Sequence, residues 1–98
     1  MASFSELIQA DKPLLVDFFA EWCGPCHAMK PILENFKKQV GDKLTIIKVD
    51  VDKNQAVAAT YGIQSIPTLI LFKQGKILWR QAGAVNAQQL TQALASYL

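Results

Sequence analysis

The sequence has few of the features that mark membrane proteins or proteins that bind nucleic acid. Its ten basic and eight acidic side chains are scattered along 98 residues and give a net charge of +2. This overall charge balance gives no electrostatic indication of binding to nucleic acid or anionic lipid. No stretch approaches the roughly 18 uninterrupted apolar residues of a membrane span. We expect neither nucleic acid nor a membrane among its partners.

Targeting segments, repeats and cofactor motifs are also missing. The N-terminal residues "MASFSELIQADK" have no basic segment followed by an apolar one, so they do not resemble a secretory signal. The chain has no internal repeat and no glycine-rich nucleotide-binding motif. We therefore expect a cytoplasmic protein, with an organelle as the alternative if a targeting segment was removed ahead of Met1.

Apolar residues are plentiful, at 51% of the total, which is enough for a core in one domain spanning residues 1–98. Apolar and β-branched runs predict four strands, at 12–20, 43–51, 68–72 and 76–81. Helical spacing and capping residues predict four helices, at 3–10, 23–40, 54–61 and 86–98.

This order of elements predicts an α/β fold with a mixed sheet. The first two strands are joined through a long helix and must be parallel, whereas the last two form an antiparallel hairpin. Helices then cover both faces of the sheet. In open sheets of this kind ligands bind beyond the C-terminal ends of parallel strands, and Cys23 follows the end of the strand at 12–20.

The chain has only two cysteines, Cys23 and Cys26, which could be a staple, part of a metal site or a reagent. A disulfide across so short a loop would add little stability. A structural zinc site needs about four ligands, and the motif offers only the two cysteines and His27. A zinc site within the chain or shared between two chains, and a pair of inert buried cysteines, are the alternatives to redox chemistry.

The helical spacing of the two cysteines favours the interpretation that they are a reagent, that is, a redox-active pair. Residues i and i+3 have Cα atoms roughly 5 Å apart, inside the roughly 4.4–6.8 Å window for a disulfide. Cys23 would lie at the helix N-terminus, where the macrodipole favours a thiolate. Cys26, one turn further, should be more buried and less acidic. The motif therefore predicts that Cys23 attacks a substrate disulfide and that Cys26 resolves the mixed disulfide.

Four blocks of sequence, in order, resemble the thioredoxin family over residues 4–98: "VDFFAEWCGPC", "KVDVDKN", "YGIQSIPTLILFKQGK" and "GAVNAQQL". The resemblance implies the thioredoxin fold and the activity of a general protein disulfide reductase acting through Cys23 and Cys26. It implies no bound cofactor or metal, disulfide-containing protein substrates, and re-reduction by a separate flavin-containing thioredoxin reductase that draws on NADPH.

Two rival functions use the same fold. The first is an oxidant or isomerase in an oxidising compartment. The absence of an export signal and the Gly-Pro pair between the cysteines argue against it. The second is a binding subunit whose thiols are dispensable.

The resemblance also implies roles for two charged residues. Asp17 interrupts an apolar strand, and burial should raise its pKa. By resemblance it is the proton acceptor that helps Cys26 to become a thiolate, with a solvent-facing aspartate as the alternative. Lys48 matches the lysine that lies near this aspartate in the family, although a lysine in a strand is more often an ordinary solvent-facing residue.

A third set of residues is implied to form an uncharged docking surface. Pro67 matches the cis-proline of the family, which would turn the backbone of Ile66 toward the cysteines to pair with an extended substrate. Trp22 could instead be core filler. The docking set comprises Trp22, Gly24, Pro25, Ile66, Pro67, Gly83 and Ala84.

The chain departs from the family at two places. Many relatives begin with an extra edge strand, but only "MAS" precedes the first helix here, so we expect about four strands. Segment 43–51 is then a sheet edge on which Lys43 and Lys48 discourage pairing. We expect a monomer, with edge-to-edge dimerisation as the alternative. His27 replaces the usual lysine or arginine, either as a solvated helix residue or as a pH-dependent charge near Cys23.

Overall fold

A computed structural model describes residues 3–98 of the chain. Its four strands form one sheet with the order β2-β1-β3-β4. The strands are β1 (Leu14–Phe19), β2 (Thr45–Asp50), β3 (Thr68–Lys73) and β4 (Lys76–Ala82). The helices are α1 (Phe4–Leu7), α2 (Gly24–Val40), α3 (Gln55–Thr60) and α4 (Ala87–Leu94), with 3-10 turns at Gly41–Lys43 and Ala95–Tyr97.

The strand pairing follows the expectations from the sequence. β1 pairs in parallel with β2 and antiparallel with β3, and its nearly continuous apolar run is buried on both faces. β3 and β4 form an antiparallel hairpin. Its two-residue turn, Gln74 and Gly75, has positive φ at both positions, as a type I′ turn requires. β2 is an edge strand, which confirms that prediction.

The first helix is shorter than the predicted segment at 3–10. Ser3 caps it by accepting a hydrogen bond from the Glu6 N–H at 3.3 Å, but α1 ends at Leu7. The carbonyls of Ile8 and Ala10 instead accept hydrogen bonds from the β3–β4 turn. The N–H groups of Gln9 and Ala10 bond to the carbonyls three residues earlier, of Glu6 and Leu7, so the chain continues as a turn that is tied to the hairpin. No edge strand precedes α1 within residues 3–98, and Met1 and Ala2, which belong to the same prediction, lie outside the described residues.

Two apolar layers hold the helices to the sheet. Leu15, Leu69 and Leu71 project from one face of the sheet and pack against α2 and α4. On the other face, the ring of Phe4 packs against those of Phe18, Phe72 and Tyr61, with centroids 5.6 to 6.3 Å apart. Side chains alternate along a strand, so Asp17 shares the α2 face with Leu15.

The fold brings the ends of two parallel strands together. The C-terminal ends of β1 and β2 meet at one end of the sheet, and residues 20–23 lead directly from β1 into α2. Within residues 3–98 there is no helix long and apolar enough to span a membrane. The end of the sheet at which β1 passes into α2 holds the two cysteines.

Candidate active site

The two cysteines are joined as a disulfide in the structure. Their Cα atoms are 5.3 Å apart, as the helical spacing predicts. Cys23 is the N-cap residue of α2 with extended backbone, while Cys26 lies in the first turn. The ring of Pro25 fits this turn because a proline there removes no intrahelical hydrogen bond.

The two sulfurs differ in their hydrogen bonding more than in their burial. Cys23 Sγ accepts a hydrogen bond from the Cys26 N–H at 3.2 Å, as an N-cap side chain does. The expected difference in burial is absent, because Cys23 is 4% exposed and Cys26 is 3% exposed. Both pack with Ala20, and Phe19 and Ile66 lie against the same cluster. These neighbours cover both residues of the pair.

A second loop approaches the cysteines from β3. The Ile66–Pro67 peptide bond is cis, as the resemblance implies, and the Ile66 carbonyl oxygen lies 3.8 Å from Cys23 Sγ. The Pro67 carbonyl accepts a hydrogen bond from the Gly83 N–H at 2.8 Å. Gly83 has φ +91, a conformation that side chains rarely adopt. This contact brings Gly83 and the exposed Ala84 beside Pro67.

Trp22 lies on the surface beside the motif. It is 73% exposed, so the alternative interpretation as core filler is wrong. Its indole Nε1 donates a hydrogen bond to Asp52 Oδ2 at 2.9 Å. Next to Trp22, Glu21 forms an ion pair with Lys53 at 3.7 Å. The loop that follows β2 is thus tied to the loop that precedes α2.

Asp52 is a site residue that the sequence reasoning missed. Its backbone is held by Asp50, whose Oδ1 accepts hydrogen bonds from the N–H groups of Asp52 and Lys53. The available signal was topological: "VDVDKN" follows a strand parallel to β1. Both loops must therefore meet at the same end of the sheet.

Asp17 is a buried carboxylate without a donor. It is 0% exposed, and neither of its oxygens has a hydrogen-bond partner among residues 3–98. Burial raises the pKa of Asp17 to about 6, and the nearby Lys48 ammonium opposes this rise. The alternative of a solvent-facing aspartate is wrong.

Lys48 is the register partner of Asp17 across the β1–β2 pair. Register partners project from the same face of a sheet, so both lie on the α2 side. The Lys48 side chain is exposed, and its Nζ lies 5.4 Å from the centroid of the Phe19 ring. Its position allows it to act on Asp17 through charge without a direct hydrogen bond.

His27 is exposed, and its Nε2 lies 2.6 Å from the Glu21 carbonyl oxygen. The imidazole therefore folds back from α2 toward the residues that precede the motif. Across residues 3–98 no three histidine, cysteine, aspartate or glutamate side chains come together as a group that could hold a metal ion.

Comparison with known proteins matches this site to a family. The family model named Thioredoxin matches residues 1–96. The chain belongs to the thioredoxin family. It is 48% identical to the thioredoxin of Alicyclobacillus acidocaldarius over 97 residues. These aligned residues are 99% of this chain and 92% of that protein. A thioredoxin-like protein of Synechocystis sp. is 46% identical over 98 residues, covering 99% and 93%.

A further relative is longer than this chain. Rice "Thioredoxin Y, chloroplastic" is 46% identical over 98 residues, and the chain spans 58% of its length.

Family membership confirms the fold class and the interpretation of the cysteines as a reagent. The chain has the thioredoxin fold, with a mixed sheet of four strands within residues 3–98 and helices on both faces. It is an oxidoreductase of dithiol–disulfide exchange whose redox-active pair is Cys23 and Cys26. Proteins of this family use the cysteine pair itself and generally no bound cofactor, and they act with disulfide-containing proteins and reductases.

Proposed function

We propose that the chain, as one domain spanning residues 1–98, is a general protein disulfide reductase in which Cys23 is the nucleophile and Cys26 the resolving cysteine. One observation carries this assignment: the Cys26 N–H donates to Cys23 Sγ at the N-terminus of α2. In the reduced protein that hydrogen bond and the helix macrodipole both favour a thiolate on Cys23. Among residues 3–98 no N–H group donates a hydrogen bond to the sulfur of Cys26.

In the first step the Cys23 thiolate attacks one sulfur of a substrate disulfide. The sulfur–sulfur bond of the substrate breaks, its second sulfur leaves as a thiolate, and a mixed disulfide forms on Cys23. In the second step the Cys26 thiolate attacks Cys23 Sγ and releases the remaining substrate sulfur. Two electrons pass to the substrate, and the Cys23–Cys26 disulfide is left.

Asp17 accepts the proton that Cys26 must lose before the second step. A carboxyl whose pKa is about 6 is mostly ionised at neutral pH, yet it holds a proton far more readily than an exposed aspartate does. Its place on the α2 face of β1 supports this role. Lys48 acts as a positioning residue that keeps the pKa of Asp17 from rising further.

The substrate docks on a flat, uncharged surface around Cys23. An extended segment pairs with the backbone of Ile66 beside Pro67, as in the addition of a short strand. The exposed indole of Trp22 supports one side of this surface. At Gly24 a Cβ atom would meet nothing within 4 Å, so the surface beside Cys23 is unobstructed at this position. Gly24, Pro25, Gly83 and Ala84 complete the surface.

The oxidised pair is reduced again by a separate flavoprotein, a thioredoxin reductase that draws on NADPH. The chain itself has no glycine-rich nucleotide-binding motif, so hydride chemistry must come from that partner. The protein works in a reducing compartment. This is either the cytoplasm or an organelle such as the chloroplast, which the name of the rice relative indicates.

The test is the rate at which a protein disulfide is reduced under excess dithiol. Wild type should be faster than dithiol alone, and Cys23→Ser should be inactive. Cys26→Ser should stall as a mixed disulfide whose mass equals that of the protein plus the substrate. A wild type no faster than dithiol contradicts the reductase assignment, and a trapped adduct on Cys23→Ser instead of Cys26→Ser reverses the two roles.

A further inference from the structure

A groove of about 570 Å³ runs between α2 and the edge strand β2. Its lining residues on the helix, from Lys30 to Lys38, recur at helical spacings of three and four, so they share one face. Leu33 and Ile46 supply its apolar part. These two side chains belong to the core between the sheet and α2.

The groove is strongly basic in a nearly neutral protein. Four of the ten basic side chains and one of the eight acidic ones line it, which gives it a formal charge of +3 and leaves the rest of the chain at −1. The acidic residue is Glu34. The four lysines are Lys30, Lys37, Lys38 and Lys48.

Most of this charge has no ion-pair partner among the described residues, 3–98. Within residues 3–98 the one ion pair within 4.0 Å joins Lys53 to Glu21, outside the groove. The Lys37 ammonium donates hydrogen bonds to the carbonyls of Gly41 and Leu44 at 2.7 and 2.6 Å. These two bonds fix the position of its charge. Lys30 and Lys38 project their charges into solvent at the rim.

The groove runs beside an open edge of backbone. The N–H groups of Thr45 and Val51 donate to β1-side carbonyls. Because backbone groups alternate along a strand, those of Ile46 and Lys48 face away from β1. Within residues 3–98 no strand pairs with β2 on that outer side. Unpaired edge groups of this kind are a template for another strand.

We propose that the groove and the outer edge of β2 together bind an extended acidic segment of a partner protein, which adds a strand beside β2. Its backbone pairs with Ile46 and Lys48, its apolar side chains contact Leu33 and Ile46, and its carboxylates face the lysines. A second copy of this chain would bring a second groove of charge +3 against the first. The phosphates of a nucleic acid would pair with the lysines, but they would make no apolar contact with Leu33 and Ile46 and would not pair with the backbone edge of β2. This surface is separate from the docking surface proposed around Cys23.

The experiment uses the isotope-labelled full chain and nuclear magnetic resonance. The probe is an acetylated and amidated peptide of about ten residues, long enough for a strand. Glutamate and valine take turns at every second position, with threonine between them, so that both kinds of side chain lie on the face toward the groove. We expect the amide signals of Ile46 and Lys48 and those of the facing side of α2 to shift together with added peptide. The same sequence with every backbone nitrogen methylated, which keeps the charges, should bind at least about tenfold more weakly.

Charge-reversal variants locate the site. Lys30→Glu combined with Lys38→Glu should weaken peptide binding by about tenfold or more. The matched control, Lys73→Glu combined with Lys76→Glu, makes the same charge change at the hairpin of β3 and β4, on the opposite side of the sheet. It should change the affinity by no more than about twofold. Dispersed spectra of both variants show that they are folded.

Four results would overturn the proposal. The methylated peptide could bind as tightly as the unmodified one, or both pairs of variants could lose affinity equally. A single-stranded oligonucleotide of the same charge could bind as tightly to the same residues, which would make the groove a nucleic-acid site. Sedimentation could instead show a dimer whose formation, without peptide, shifts the same signals.

Discussion

At the scale of single residues, Asp17 is a carboxyl that the fold removes from water. Its carboxyl is buried without a donor, and burial raises its pKa from 3.8 to about 6. The folded state binds this proton more tightly than the unfolded chain does. The ionised carboxylate therefore lowers the free energy of unfolding fully above about pH 6, and this effect disappears below about pH 4. A shift of this size corresponds to about 3 kcal/mol.

Replacing Asp17 with asparagine should therefore stabilise the protein more at high pH than at low pH. The free energy of unfolding of Asp17→Asn, relative to wild type, should rise by about 2 kcal/mol between pH 4 and pH 8. The cost of burying the amide does not change over this range, so the pH dependence isolates the charge. Urea unfolding of the oxidised proteins measures it.

Asp42→Asn removes the same charge from the exposed 3-10 turn and is the matched control. We expect it to change the free energy of unfolding by no more than about 0.5 kcal/mol. A pH-independent difference between wild type and Asp17→Asn would show that burial does not raise the pKa of Asp17.

At the scale of secondary-structure elements, the pairing of β1 with β2 decides which charge Asp17 faces. The parallel register sets Lys48 opposite Asp17 on the same face. Lys48 lowers the pKa of Asp17 against the larger effect of burial. In the proposed mechanism the strand register is therefore part of the redox site, although neither strand carries a cysteine.

Lys48→Met should raise the pKa of Asp17 above its wild-type value, because the opposing charge is lost while burial remains. Carbon-13 resonance of the Asp17 carboxyl, followed as a function of pH, measures this directly. Lys43→Met removes an exposed lysine that precedes β2, and this control should leave the pKa of Asp17 unchanged. An unchanged Asp17 titration in Lys48→Met would contradict the role of the register.

The elements also show which parts of the structure could be predicted from sequence. The apolar run of β1, the turn at Gln74 and Gly75 and the cap at Asn86 are local signals, and each gave the correct element. The segment after α1 bonds to the β3–β4 turn, and a single segment of sequence does not encode such a contact.

The site likewise combines local features that the sequence predicts with contacts that only the fold creates. The spacing of Cys23 and Cys26 predicted their separation, because helix geometry fixes it. Their equal burial follows in part from packing by Val51 and Ile66, which are distant in sequence from both cysteines. The hydrogen bond from Trp22 to Asp52 likewise depends on two loops that only the folded sheet brings together.

At the scale of the whole molecule, two apolar layers and not the disulfide hold the fold together. The Cys23–Cys26 bridge closes a loop with a sequence separation of three. The loss of chain entropy from so short a loop corresponds to about 2 kcal/mol in the unfolded state. Both redox states must stay folded for the chain to carry electrons.

Reduction should therefore lower the free energy of unfolding by about 2 kcal/mol or less. Urea unfolding with and without dithiol measures this difference. The variant with both Cys23→Ser and Cys26→Ser should behave like the reduced protein and should not respond to dithiol. A chain that loses its native circular dichroism on reduction would contradict the view that the apolar layers suffice.

The most direct test of the central claim is the relative reactivity of the two thiols in the reduced protein. Burial does not distinguish them, whereas the hydrogen bond from the Cys26 N–H to Cys23 Sγ does. Limited alkylation with iodoacetamide at pH 7, followed by mass mapping of the peptides, should modify Cys23 at least about tenfold faster than Cys26. Equal rates, or faster modification of Cys26, would contradict the assignment of Cys23 as the nucleophile.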